Sequence, residues 1–172
     1  MAIPRGQSLI ETTIALGVII TGLAGAITLI AYSLRSSGTS LDRMIALHLT
    51  WEGIEVAVNT RDSNYLAGNA FDDGLDGGGD QTAIAAFDSA TGTWAFDFTP
   101  NAFAENTTIL YQQGGLYRQA TVQPAGNATV FRRLLILDAS VPDQVRVVST
   151  VQWKDGSNTR QVRSERVIYD WR

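Results

Sequence analysis

The chain has 172 residues, enough for one domain or for a domain with an appendage. Its formal net charge is -4 and only 17% of its residues are charged, so no basic footprint asks for nucleic acid. It has no cysteine, which excludes disulfides, zinc–thiolate sites and cysteine nucleophiles, and a single histidine, His48, which argues against a triad or a multi-histidine metal site.

The first third of the chain is apolar. Residues 12–34 carry no charge, and a bilayer-spanning helix needs roughly 20 such residues. Helix is the economical form there, because in lipid every backbone group must be paired internally. A buried core helix fits poorly with a run of this length so near the start. Three membrane roles stand open: a simple signal anchor, a secretory signal peptide, or a segment with a use for Glu11. In the second, Arg5 would form the n-region and Ala24-Gly25-Ala26 the cleavage site. The first two leave Glu11 without a purpose. A carboxylate within a span costs about 2–3 kcal/mol and usually marks function.

The run Arg5-Gly6-Gln7-Ser8-Leu9-Ile10-Glu11, followed at once by the apolar helix, resembles the N-terminal signature of type IV pilin-like proteins. The resemblance implies a prepilin with a leader over residues 1–6. A prepilin peptidase and N-methyltransferase would cut between Gly6 and Gln7 and methylate Gln7 as the new N-terminus. Gln7 departs from the phenylalanine commonest at that place. Glu11 becomes the assembly and register residue. In the dry core of a filament an unpaired carboxylate is strongly unfavourable. The N-terminal amine of a neighbouring subunit would neutralise it, and setting register is the best-attested use of such a buried polar contact. Gly17, Gly22 and Gly25 lie inside this helix. They either permit close helix packing or let the helix unwind locally on assembly.

After the polar patch at residues 36–40, Leu41, Met44, Ile45, His48, Trp51, Ile54 and Val58 recur at helical spacing. This predicts an amphipathic helix with that face on a sheet and Asp42, Arg43, Thr50 and Glu52 on the other. His48 reads as a packed or interfacial residue and Trp51 as core. One helix from Gln7 to Asn59 would extend about 80 Å, with Gly38 as a place to bend or break. The stretch "ALHLTWEGIEVAVNTRDSNYLAG" is similar to the second helical half of minor-pilin-like proteins.

"FDDGLDGGGDQT" places Asp72, Asp73, Asp76 and Asp80 among glycines, which predicts a loop. Its two readings are a solvated loop and a calcium site built from flexible oxygen ligands. It misses the EF-hand pattern, because Gly74 stands where a ligand belongs and no glutamate closes it. No other cofactor is implied.

Strand signals dominate from Trp94. "TTILYQQGGLYRQA" reads as a hairpin around Gly114-Gly115, and "TVFRRLLIL" reads as a strand. Val145, Val147, Val151 and Trp153 alternate on one face, and Asp155-Gly156 marks a turn. Tyr169 and Trp171 are placed to close the C-terminal region by packing, where pilins commonly use a disulfide.

The expected fold is α+β and type IV pilin-like, a long N-terminal helix packed on an antiparallel sheet of about four strands. The divisions are 1–6 leader, 7–35 transmembrane and assembly helix, 36–60 amphipathic helix, 61–107 variable loop and 108–172 sheet. No phosphate-cradling loop, zinc-protease motif or Ser–His–Asp grouping is present, so the chain does not read as an enzyme. The resemblance implies a minor pilin or pseudopilin of a type IV pilus or a type II secretion-like filament. Its partners would be the peptidase, other pilin subunits, the inner-membrane assembly platform and, before assembly, membrane lipid. It would cross the cytoplasmic membrane once with its N-terminus inside, then enter a periplasmic or extracellular filament. The alternative is a competence or tip pilin that binds DNA or a surface, with Arg118, Arg132, Arg133, Arg160, Arg163 and Arg166 as candidates. Those arginines read equally as solvated strand faces.

Overall fold

The computed structural model describes residues 5–78, 80–88, 90–100, 102–122 and 126–171, with the side chains of residues 5–8 and Asp80 left out. The chain divides into two units, Met1–Asp42 and Arg43–Arg172. Residues 1–4 of the expected leader lie outside the described residues.

Helix α1 runs Arg5–Ala67 without interruption, 63 residues, and passes through Gly38 with no break. It outlasts the expected end near Asn59 and stops at Gly68, whose φ of 74° is a left-handed helix terminus that glycine adopts freely. Among the described residues seven strands follow, not four: β1 Asp80–Asp88, β2 Thr93–Asp97, β3 Ile109–Gln113, β4 Leu116–Arg118, β5 Asn127–Asp138, β6 Gln144–Asp155 and β7 Asn158–Tyr169. Every named pair is antiparallel. The chain is therefore α+β, as expected, with a larger sheet. The additional strands β1 and β2 occupy a region that reads as loop by composition. They form because β1 finds two partners: its first half pairs with β5 and its second with β2.

In the second unit, α1 seats a stripe of mostly small residues on the sheet. Ala46, Leu49, Thr50, Gly53, Ile54 and Ala57 are buried, at the i, i+3, i+4, i+7 spacing of one helix face. This corrects the expected phase. Leu41, Met44 and Trp51 are exposed, Trp51 by 49%. Thr50, placed on the polar face by pattern, is fully buried, and its hydroxyl meets that of Ser164 on β7 at 2.8 Å. Size decides the outcome. A Cβ on Gly53 would lie 2.8 Å from Ser149 Oγ and 3.3 Å from Arg133 Cδ and Leu135 Cδ2, so the helix backbone approaches the sheet where only glycine fits.

Two apolar clusters flank this contact. One joins Ile54 and Ala57 to Leu75, Ala83, Leu135, Val145 and Ile168. The other joins Ala46 and Leu49 to Leu110, Phe131, Val151 and Trp153. Each large side chain buried in them contributes roughly 1.5–3 kcal/mol. Between the clusters lies a polar seam of Arg133, Ser149 and Ser164. Trp171 stacks on Tyr65 with ring centres 4.4 Å apart and the Arg61 guanidinium 5.9 Å from its ring. It closes the C-terminal region onto the helix as expected. Trp171 is itself 57% exposed, and Tyr169, 54% exposed, has no such ring contact among the described residues.

Gly53→Val should lower the unfolding free energy of the full chain in detergent by about 2 kcal/mol, because the inserted methyl groups overpack the seam. Chemical denaturation followed by tryptophan fluorescence measures this. A variant as stable as the parent contradicts the close approach.

Candidate functional site

The N-terminal site is built by α1. Gly6 and Gln7 lie in its first turns, and Glu11 follows one turn later, exposed. From Leu9 to Leu34 the large apolar side chains are exposed all round the helix, Leu9 by 69%, Ile20 by 59% and Leu34 by 69%. This is the helix long and apolar enough to cross a membrane. Its hydroxyls do not spoil it. Thr13 donates to the Leu9 carbonyl at 2.8 Å, Thr21 to that of Gly17 at 2.9 Å and Thr28 to that of Ala24 at 2.9 Å, so each threonine satisfies its own donor inside the helix. Glu11 differs. Among the described residues it makes neither an ion pair nor a hydrogen bond. Gly17, Gly22 and Gly25 are helical with open space where a Cβ would stand.

The acidic loop is tethered from α1. Asn64, almost wholly buried, donates from Nδ2 to the Phe71 carbonyl at 3.2 Å and the Asp73 carbonyl at 2.7 Å. Leu75 is fully buried beneath it. Asp76 accepts the Gly78 amide at 2.7 Å, a local turn contact. Asp72, Asp73 and Asp76 line a shallow open depression. Among the described residues no three acidic or histidine side chains converge as a metal site. The side chain of Asp80 lies outside the described residues.

The six candidate arginines are not gathered into one surface. Arg118 stacks over Phe87 at 4.4 Å. Arg132 Nη1 donates to the Phe103 carbonyl at 2.9 Å and the Glu105 carbonyl at 2.8 Å, which holds the 102–108 segment. Arg160 pairs with Asp155 at 2.8 Å, Arg163 with Glu165 at 3.0 Å and Arg166 with Glu55 at 3.1 Å.

Arg133 is the exception, and sequence reading missed its role. It is fully buried. Its Nε donates to Gln119 Oε1 at 3.0 Å, and its Nη1 donates to the Leu49 carbonyl at 3.1 Å and to Glu52 Oε1 at 3.2 Å. Burial pulls its pKa down and the Glu52 carboxylate opposes that. Gln119, also fully buried, donates to the Thr108 and Arg133 carbonyls, both at 2.8 Å. This network is architectural: it ties β5 to α1 and to the segment after β4. His48 is exposed and meets Trp51 edge to face at 5.4 Å, which assembles no further ligand.

No protein-family model matches the chain, and no curated protein or solved structure matches it at a significant level.

Asn64→Ala should cost about 1–3 kcal/mol, the penalty for two carbonyls left without their donor. It should also speed proteolytic cleavage within residues 69–79. Denaturation and limited proteolysis of the full chain measure both. Parental stability together with parental resistance contradicts the tether.

Proposed function

We propose that this chain is a type IV pilin-like structural subunit, a minor pilin or pseudopilin, that enters a filament through its N-terminal helix. One observation carries the reading. A helix exposed and apolar on all sides, with a single carboxylate at residue 11, continues unbroken into a segment seated on an antiparallel sheet. An apolar surface of that extent needs lipid or other helices around it, and a subunit that passes from membrane to filament core meets both in turn.

In this reading Gly6 and Gln7 form the cleavage address for a prepilin peptidase, and Gln7 becomes the methylated N-terminus. The chain waits in the cytoplasmic membrane with its N-terminus inside. The assembly platform then moves it among other subunits. Glu11 is paired there by the amine of a neighbouring chain. In lipid the carboxylate sits near the edge of the apolar run, close enough to the headgroups to remain hydrated. In the filament core that route is closed, so the pairing selects one axial register. The contact rewards correct assembly because the unpaired alternative is so unfavourable.

The DNA-binding alternative loses support from the arginines, since the exposed Arg160, Arg163 and Arg166 are paired with acids and the half-buried Arg118 and Arg132 are engaged with an aromatic ring and with carbonyls of the same chain. A dispersed and mostly compensated set makes a weak footprint for a phosphate backbone.

Glu11→Val and Glu11→Ala should insert in the membrane at parental levels while filament incorporation falls about tenfold or more. Quantitative blotting of membrane and sheared-filament fractions separates the two steps. Parental incorporation of either variant overturns the role given to Glu11.

A further inference from the structure

Among the described residues strand β7 is a free edge of the sheet, paired only with β6. Its backbone orientation follows from the register. Asp155 pairs with Asn158 across a two-residue turn, and one step beyond the strand's other end the Asp170 amide donates to the Asp143 carbonyl at 2.9 Å. Even-numbered residues therefore turn their backbone groups toward β6. Because these groups alternate along an antiparallel strand, Thr159, Gln161, Arg163, Glu165, Val167 and Tyr169 point theirs outward. Even-numbered side chains face α1: Ser164 meets Thr50, Arg166 pairs with Glu55 and Ile168 is buried. Odd-numbered side chains stand on the open face.

We propose that β7 is a docking strand for a second copy of this chain, paired antiparallel about a two-fold axis at Ser164. Charge selects that register. With Ser164 opposite Ser164 of the second copy, Arg163 faces Glu165 of the other chain and Glu165 faces its Arg163. Both side chains already lean together on the open face, 3.0 Å apart, with Arg146 of β6 3.8 Å from Glu165 on its other side, so pairing sets each glutamate among arginines of both copies. Sliding by one backbone repeat in either direction sets Arg163 against Arg163, or Glu165 against Glu165. Like charges directly opposite are destabilising.

Geometry agrees with charge. Only registers that oppose odd residues to odd residues match donors with acceptors, and the Ser164 register is one of them. It also lies at the middle of the strand, so overlap is nearly complete, with roughly a dozen backbone hydrogen bonds. Long edges are ordinarily blunted by charge. On β7 the charges have both signs and are self-complementary in one register alone among its neighbours.

The axis stands normal to the sheet, so it reverses the direction of the helical segment packed on that sheet. The inference does not depend on the reading of the N-terminus.

The test uses the full chain in detergent. Sedimentation should show a dimer. Arg163→Glu should weaken it about tenfold with unfolding unchanged, since an exposed ion pair contributes little to folding. The double exchange Arg163→Glu with Glu165→Arg should restore it. Because the chain has no cysteine, Ser164→Cys supplies a clean reporter, and it should oxidise to a covalent dimer while Gln161→Cys does not. A monomeric parent, a dimer indifferent to Arg163→Glu, or cross-linking through Gln161→Cys in place of Ser164→Cys overturns the proposal.

Discussion

The close contact at Gly53 sets the distance between helix and sheet, and much else follows from that distance. With no Cβ in the way, the Leu49 carbonyl comes within 3.1 Å of the Arg133 guanidinium. A carbonyl inside a helix is already bonded within it, yet its second lone pair can accept from a cation that comes this near. The same approach lets Ala46, Thr50 and Ala57 fill their share of the interface without long side chains. The two apolar clusters then close on either side of the seam. A buried arginine is a poor source of net stability, because desolvation offsets its attractions. Its value here is placement. A fixed donor aimed at one carbonyl and one carboxylate of α1 favours a single axial position of helix on strand.

One helix therefore serves two surroundings without a change of secondary structure. Through residue 34 its large side chains are apolar on every side, and its threonines bond back to their own helix. From residue 46 its burial is one-sided. Glu11 is the single group that neither pattern accommodates. The filament proposed for this chain would resolve that misfit by supplying a counter-charge from another chain.

Much of this was legible in the sequence, and the failures have physical causes. The span, the helix type and the strands from residue 127 onward follow from runs and alternation that survive folding. The helix phase did not, because residues such as Gly53 and Ala57 carry no weight in a hydrophobic pattern, while Trp51 and Met44 carry much and stay exposed. Strand β1 was hidden among aspartates and glycines, whereas β2 begins where strand signals do, at Trp94. The pairing of β1 with β5 is long-range, and local composition does not record it. Arg133 looked like one more solvated strand charge. The register of β5 under α1 turns it inward, and its partners there, Gln119, Glu52 and the Leu49 carbonyl, are all distant in sequence.

The account stands or falls on what happens between Gly6 and Gln7. An intact mass of the protein purified from cells that express a prepilin peptidase tests this most directly. The account predicts a chain that has lost residues 1–6 and begins at Gln7, with or without one added methyl group. An uncut chain, or one cleaved after Ala26, would contradict it.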